Sequence, residues 1–180
     1  MTKIKIDALN PDSISRAADR VRKLQQAYAN KNRLFVKELT KVGTQSIEET
    51  LTGESPYHAG EEETLPKYNN PHVLSGSKYG EAKATIKLSG PNAVFVEFGA
   101  GAHFNGPAGS SPHPLGEQFG YTIGSYGMGQ GKNDSWQYTK DGEVKISHGT
   151  RALMPMWKAS QKMRQEAKGK AKSIFSIKGI

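Results

Sequence analysis

The sequence contains no cysteine. Disulfides, thiolate metal sites and a cysteine nucleophile are therefore excluded, and the composition fits a protein made in a reducing cytoplasm. Long hydrophobic runs are missing too, because no apolar stretch approaches the roughly 20 residues that span a bilayer. The amino terminus, "MTKIKIDALN", also lacks the apolar core of a signal peptide. We expect a soluble protein that does not contact membranes.

Hydrophobic residues are scarce, at 35% of 180 residues. This fraction is below the usual range for a compact globule, although the length suits one domain with one core. We therefore predict a single domain, residues 1–180, with long exposed segments or with surfaces that find partners in an oligomer.

Positive charge is abundant, with a formal net charge of +8 that can attract nucleic acid or an acidic partner. Many of the basic residues lie in the two end segments, which have helical periodicity. Arg16, Arg20 and Lys23 are our candidates for contact with DNA. The competing interpretation is an ordinary solvated helix face, which is common for long basic side chains.

A long amino-terminal helix is predicted from Asn10-Pro11, where Asn caps the free amides and Pro suits the first helical position. Apolar residues recur at helical spacing for about 35–40 residues, with a bend near Asn30 and Gly53 just beyond the end. The stripe consists of Ile14, Ala17, Ala18, Val21, Leu24, Tyr28, Phe35, Leu39 and Val42.

A second helix is predicted to begin at Pro155, with Met156, Ala159, Met163 and Ala167 on its apolar face. Gly169 is expected to fray it, which leaves residues 169–180 as a carboxy-terminal tail.

Two hairpins are predicted between the helices. In the first, "AKATIKLS" pairs with "AVFVEF" across a three-residue loop, which sets Leu88 against Val94 and leaves Glu97 on the outer face, outside the core. In the second, "SWQYTK" and "EVKIS" meet at Asp141-Gly142. A two-residue turn is possible there, but we prefer a three-residue loop, because it places Trp136 and Tyr138 on one face with Val144 and Ile146.

The expected fold is α+β, with a long N-terminal helix and a C-terminal helix packed on a small antiparallel sheet made of two hairpins. Long loops are expected at residues 54–75 and 99–135, and the second of these is rich in glycine.

Catalytic patterns are weak. "GMGQGK" (127–132) has Tyr126 where a phosphate-binding loop needs its first glycine, and Asn133 where it needs Ser or Thr. None of the five histidines has the helical spacing of a zinc protease. His103 and His113 share one loop near Glu97, so a metal site or a small hydrolase is an alternative. We predict no enzymatic activity, no cofactor and no bound metal.

The order of the landmarks is more specific than any one of them. A strand ending in "VEFG" (96–99) is followed much later by "HGTRALMP" (148–155), which opens the last helix. In these motifs the chain resembles, over roughly residues 14–168, the tail-component family of long-tailed bacteriophages, that is, the small neck and tail-completion proteins.

The resemblance implies a structural virion protein without catalytic activity or cofactor, made in the cytoplasm of the host bacterium. It would form a ring, guessed to be a hexamer, around the DNA channel, and would join the head to the tail. Its neighbours would be head-completion or connector proteins and tail-terminator or tail-tube proteins. A basic DNA-binding protein that acts outside the virion is the alternative.

The residues that this resemblance suggests for contacts between subunits cluster around the two motifs and the glycine-rich loop. Glu97 would offer an outward carboxylate to a neighbour's Lys or Arg or to its own loop backbone, and the alternative is an exposed Glu beside Lys87. Gly149 would take a backbone conformation closed to other residues. The interface candidates are Glu97, Phe98, Gly99, Gly101, His103, Phe104, Phe119, Tyr121, Tyr126, His148 and Gly149.

Overall fold

The computed structural model describes residues 7, 9–57, 64–75, 80–100, 111–120 and 135–176. Three helices and six short strands make up these segments. The helices are α1 (Pro11–Gly53), α2 (Ala93–Phe98) and α3 (Pro155–Phe175). The strands are β1 (Lys67–Tyr68), β2 (Leu74–Ser75), β3 (Ala82–Lys83), β4 (Leu88–Ser89), β5 (Trp136–Lys140) and β6 (Glu143–Ser147). The predicted α+β class, with its two long terminal helices and small antiparallel sheets, is confirmed.

Helix α1 begins as the sequence indicates. The Asn10 side-chain oxygen accepts hydrogen bonds from the amides of Asp12, at 3.0 Å, and Ser13, at 3.4 Å, so it supplies acceptors that the first turn lacks. The helix runs for 43 residues, and Gly53 is its last residue. At the other end of the chain, α3 begins at Pro155 as predicted, but it continues through Gly169 to Phe175.

The first predicted hairpin is wrong, because residues 93–98 form a helix. The buried positions Val96, Glu97 and Ala100 lie with half-buried Ala93 at the spacing of one helical face, whereas Val94 is exposed. Amides at the start of α2 find backbone acceptors in the preceding turn, as when Val96 donates to the Asn92 carbonyl at 2.9 Å. Burial of this face therefore overrides the strand propensity of the valines.

The strand that was predicted to pair with residues 93–98 has a different partner. Strand β4 pairs with β1, so that Leu88 lies opposite Tyr68, and β2 pairs with β3. Both of these sheets have two antiparallel strands of two residues each. Two of these strands, β1 and β2, lie within residues 54–75, for which the sequence predicts a loop.

The second hairpin forms, but with the two-residue turn. Lys140 pairs with Glu143, and both Asp141, at φ 54°, and Gly142, at φ 81°, are left-handed as this turn requires. The predicted three-residue loop is wrong because it assumed a buried apolar face, yet Val144 is 68% exposed. Without a buried face, turn chemistry alone sets the register.

The described residues divide into two compact units. The first comprises Met1–Lys41, Asn70–Thr85 and Met163–Ile180, and the second comprises Val42–Asn69 and Ile86–Lys162. Within the first unit, the rings of Phe35 and Phe175 meet edge to face at 6.1 Å, and Lys170 lies 3.5 Å from the Glu38 carboxylate.

The core cluster lies in the second unit. Ile47 and Leu51 from α1 meet Val96 from α2, Leu153 just before α3 and Ala159 within α3, and Ile47 and Val96 are fully buried. Tyr68, Ile86, Leu88 and Met156 pack around this cluster. The alternation that the sequence indicates for residues 84–88 holds, since Ala84, Ile86 and Leu88 are the less exposed positions.

Candidate functional site

A buried carboxylate lies at the amino-terminal end of α3. The Glu97 side chain accepts a hydrogen bond from the Met156 amide through Oε2 at 2.8 Å and one from the Trp157 amide through Oε1 at 2.9 Å. First-turn amides have no acceptor inside their own helix, and the helix dipole favours negative charge at this end. Glu97, only 8% exposed, is therefore a helix cap supplied from a distant segment of the chain.

A buried histidine completes the site. His113 Nε2 lies 3.2 Å from Glu97 Oε1, while His113 Nδ1 accepts a hydrogen bond from the Leu115 amide at 3.0 Å. An imidazole nitrogen that accepts an N–H carries no proton, so the proton of the neutral ring is on Nε2. His113 therefore donates to Glu97, and the carboxylate has three donors.

Aromatic rings surround the pair. The His113 ring lies 4.4 Å from the Phe98 ring and 5.5 Å from the Trp157 ring, measured between centroids, and Phe119 lies 5.6 Å from Phe98. Apolar neighbours keep water away from Glu97 and His113. Hydrogen bonds gain strength in such low-dielectric surroundings, and a polar group that lost its partner there would be costly.

The turn that carries His113 is tightly packed. The Ser111 hydroxyl donates to the Phe98 carbonyl and accepts the His113 amide at 3.2 Å, and the Gly116 amide donates to the His113 carbonyl at 2.8 Å. A Cβ atom on Gly116 would lie 2.8 Å from the Ser111 Cβ, closer than such atoms approach. Only glycine fits there without a shift of the turn.

Backbone hydrogen bonds join the two motifs on which the family resemblance rests. The Val96 carbonyl accepts the amides of Leu153, at 2.8 Å, and Met154, at 3.3 Å. Ala100 and Thr150 exchange two hydrogen bonds of 2.8 Å each. "VEFG" and "HGTRALMP" are therefore two sides of one cluster, which we call the Glu97 node: Val96, Glu97, Ala100, His113, Thr150, Leu153, Met156 and Trp157.

The Glu97 node has little capacity for metal binding or acid–base chemistry in this arrangement. Both oxygens of Glu97 and both nitrogens of His113 are engaged in hydrogen bonds within the chain. Within the described segments, no three His, Asp or Glu side chains are grouped so that they could hold a metal ion. His103, the other member of the considered metal pair, lies outside the described residues.

The predicted outward position of Glu97 is wrong, because the side chain is buried, whereas acceptance of backbone amides of its own chain is one of the two roles considered for it. Its carboxylate points to the amides of its own chain and is not available to a neighbouring subunit, because the segment is a helix whose buried face includes position 97. Gly99 and Gly149 are buried as well. Gly149 has a φ of 94°, the left-handed conformation expected for it, and Gly99 has a φ of 82°.

The other interface candidates are distributed differently. Phe98 is half-buried against His113, Phe119 is exposed on its outer side, and His148 is half-buried. Gly101, His103, Phe104, Tyr121 and Tyr126 lie outside the described residues.

Sequence reasoning missed the pairing of His113 with Glu97 and the role of the first amides of α3. One signal was available. The residues before Pro155 are Leu153 and Met154, so no Ser, Thr, Asp or Asn stands where a local cap belongs. A buried helix start without a local cap indicates an acceptor from elsewhere in the chain.

Charge is divided unequally between the two units. The described residues of the first unit hold thirteen Lys and Arg against six Asp and Glu, a surplus of seven. Those of the second unit hold seven of each. Arg16, Arg20 and Lys23, the candidates for DNA contact, are exposed and belong to the first unit.

No helix among the described segments is both long and apolar enough to cross a membrane. Neither a protein-family model nor a curated protein nor a solved structure matches the chain.

Proposed function

We propose that this chain is a structural protein of the head–tail connector of a long-tailed bacteriophage. It acts in the neck or in tail completion, forms a ring around the DNA channel with other copies of itself, and joins the filled head to the tail. Its further neighbours are head-completion or connector proteins on one side and tail-terminator or tail-tube proteins on the other.

The structure of the Glu97 node is the main evidence for this proposal. The resemblance to the phage family rests on two short motifs that are far apart in sequence, and short motifs match by chance. In this chain the two motifs hydrogen-bond to each other, because the Val96 carbonyl accepts the amides of Leu153 and Met154. Glu97 of the first motif also accepts the Met156 amide, in the first turn of the helix that the second motif opens. The pattern therefore corresponds to one folded element, which supports a common origin for the motifs over a coincidence of two fragments.

The chemistry of the node also favours a structural role. Glu97 and His113 are the two buried titratable side chains in the described part of the chain, and each is fully used in holding the backbone in place. A catalytic pair needs at least one atom that can reach a substrate. Neither side chain presents one in this arrangement.

The first unit supports self-assembly. Ile14, Val21 and Tyr28 follow one another at seven-residue intervals on α1 and are 49%, 42% and 53% exposed. Residues spaced by seven share one helical face, so α1 carries an apolar stripe that is partly open to solvent. Such a stripe is typical of a subunit that buries more surface on assembly.

Gene disruption in the phage that encodes the chain tests the proposal. Electron microscopy of the lysate is expected to show DNA-filled heads and separate complete tails, and expression of the chain from a plasmid is expected to restore joined particles. Joined, infectious particles without the chain would overturn the proposal.

The charge of the first unit favours a second candidate, a DNA-binding protein that acts outside the virion. The two candidates differ in location. Antibody labelling of purified particles detects the chain at the junction of head and tail under the first candidate and finds no chain in the particle under the second.

A further inference from the structure

We infer that the first unit carries a phosphate-binding surface for double-stranded DNA, formed by the basic side chains of α1 up to Lys41 and of α3 from Met163 onward, and that the second unit has none. This inference depends on the proposed function, which identifies the ligand as the DNA in the channel. The location of the surface on the first unit is inferred from the distribution of charge alone.

The basic residues of α1 share a face. Arg16, Arg20 and Lys23 are spaced by four and three residues, which places them one above another on the helix. At a rise of about 1.5 Å per residue, they span about 10 Å along the axis, which is about three times the axial spacing of about 3.4 Å between charges on one DNA strand. The three side chains can therefore contact neighbouring phosphates together.

Most of these charges are available to a ligand. Arg20, Lys23, Arg33 and Lys37 are exposed and form no ion pair with any described residue. Arg22 is paired with Asp19 at 2.9 Å, and Arg16 donates to the Asp12 carbonyl at 3.2 Å, a contact that leaves its terminal nitrogens for a ligand. Basic residues outnumber acidic ones on α1 up to Lys41 by eight to three.

Helix α3 adds to this surface within the same unit. From Met163 onward, the described part of α3 contains one acidic residue, Glu166, and four basic ones: Arg164, Lys168, Lys170 and Lys172. Lys170 lies 3.5 Å from Glu38 of α1, so this part of α3 lies beside the stretch of α1 that carries Lys37 and Lys41. The surplus of seven charges is therefore concentrated on two adjacent helices.

DNA suits this surface better than an anionic membrane. A helix that lies in a membrane buries a continuous apolar face. In α1 part of the apolar face is already buried within the protein, because Ala17 is buried and Phe35 packs on Phe175. Binding to vesicles is nevertheless kept as an outcome of the test.

The test compares two charge-reversed forms of the full chain. Arg16→Glu, Arg20→Glu and Lys23→Glu change the first unit. Lys67→Glu, Lys87→Glu and Lys158→Glu change exposed lysines of the second unit by the same net charge. Binding of a labelled 30-base-pair duplex is followed by fluorescence anisotropy between about 50 and 200 mM salt, the range over which phosphate contacts lose affinity steeply.

The first-unit variant is expected to lose affinity and to lower the slope of log K against log salt by about three, close to one for each phosphate contact removed. The second-unit variant is expected to keep the wild-type slope. Equal losses in both variants, or no loss in the first, would overturn the inference. So would binding to phosphatidylserine vesicles without binding to the duplex.

Folding and assembly are checked in the same samples. Circular dichroism shows whether each variant is folded, and if the reversed first-unit variant is not, Arg16→Gln, Arg20→Gln and Lys23→Gln replace it with the same expected direction. Light scattering after size exclusion reports assembly separately. If the chain assembles but the first-unit variant binds DNA as well as the wild type does, this inference is wrong and the proposed function stands. If the first-unit variant loses DNA affinity but the chain is absent from virions, the proposed function is wrong and this inference stands.

Discussion

The two units of this chain stabilise themselves by different means. The described residues of the second unit hold equal numbers of basic and acidic side chains and form a closed core, with Ile47 and Val96 fully buried and the Glu97 carboxylate inside it. The first unit is strongly basic and leaves Val21 and Tyr28 of its main helix about half exposed. The difference shows that the buried core lies in the second unit, whereas the first unit leaves more apolar and basic surface exposed.

The caps of the two long helices show the same contrast. Helix α1 begins in the first unit under an exposed local cap, Asn10. Helix α3 begins in the second unit under Glu97, a buried cap from another part of the chain. A local cap stabilises one helix end, whereas a distant cap also fixes two segments against each other.

The largest effect is expected from Glu97→Ala. It leaves the Met156 and Trp157 amides and His113 Nε2 without an acceptor, and each unpaired buried donor costs about 1–3 kcal/mol. We expect a loss of about 4 kcal/mol in the free energy of unfolding, measured in urea. Glu117→Gln, at an exposed carboxylate, is the control and should stay within about 0.5 kcal/mol. A loss under about 1 kcal/mol in Glu97→Ala would contradict the buried cap.

Ile47→Ala is expected to lower the free energy of unfolding by about 3 kcal/mol, because it opens a cavity beside Val96 and Leu153. Val21→Ala, on the same helix but in the first unit, is expected to cost under about 1 kcal/mol, since its side chain is 42% exposed. Chemical denaturation of both variants gives the comparison. Similar losses at the two positions would mean that the units are equally packed.

Two glycine substitutions should have opposite signs. Gly149→Ala in the second unit forces alanine into a backbone with φ 94° and should cost about 1–2 kcal/mol. Gly169→Ala lies within α3 in the first unit, where an added methyl group meets nothing within 4 Å, and should stabilise the protein by up to about 1 kcal/mol. Thermal unfolding curves measure both, and a stabilising Gly149→Ala would be inconsistent with the left-handed turn.

The smallest expected effect concerns Tyr68 in the second unit. Burial, and then the nearby Glu48 carboxylate, which accepts the Tyr68 hydroxyl at 3.3 Å, raise the pKa of Tyr68 above its usual value. A raised pKa in the folded state means that the stabilisation is present below the unfolded pKa, near about 10, and is lost as the pH rises through the folded value.

Tyr68→Phe is therefore expected to remove a small part of the fall in stability above about pH 10. Unfolding at pH 8 and pH 11 in the wild type and the variant measures it. An identical pH dependence in the two proteins would show that Tyr68 ionises alike in the folded and unfolded states.

The long helices could be predicted because their signals are local. Asn10-Pro11 and Pro155 carry the conformational preferences of helix starts in their own side chains, and the apolar spacing repeats over many turns. The segment 93–100 has an ambiguous pattern, in which Val94, Val96 and Phe98 fit a strand, whereas Val96, Glu97 and Ala100 have the spacing of one helical face. Contacts with Leu153 and Met156, which are distant in sequence, decided the outcome.

The candidate site was half visible in the sequence. The sequence places His113 in the loop near Glu97, as a member of an alternative metal site. Their pairing depends on α2 turning Glu97 inward and on Ser111 holding the His113 turn, and neither contact has a sequence pattern of its own. The missing local cap before Pro155 was the one physical signal that pointed to the acceptor.

Amide hydrogen exchange at Met156 and Trp157 tests most directly whether Glu97 holds the second unit together. First-turn amides ordinarily exchange fast because they lack a helical partner. Here both should exchange within about tenfold of Ala159, a buried residue further along the same helix. Exchange as fast as at Asp12, in the first turn of α1 under the exposed Asn10 cap, would contradict the account.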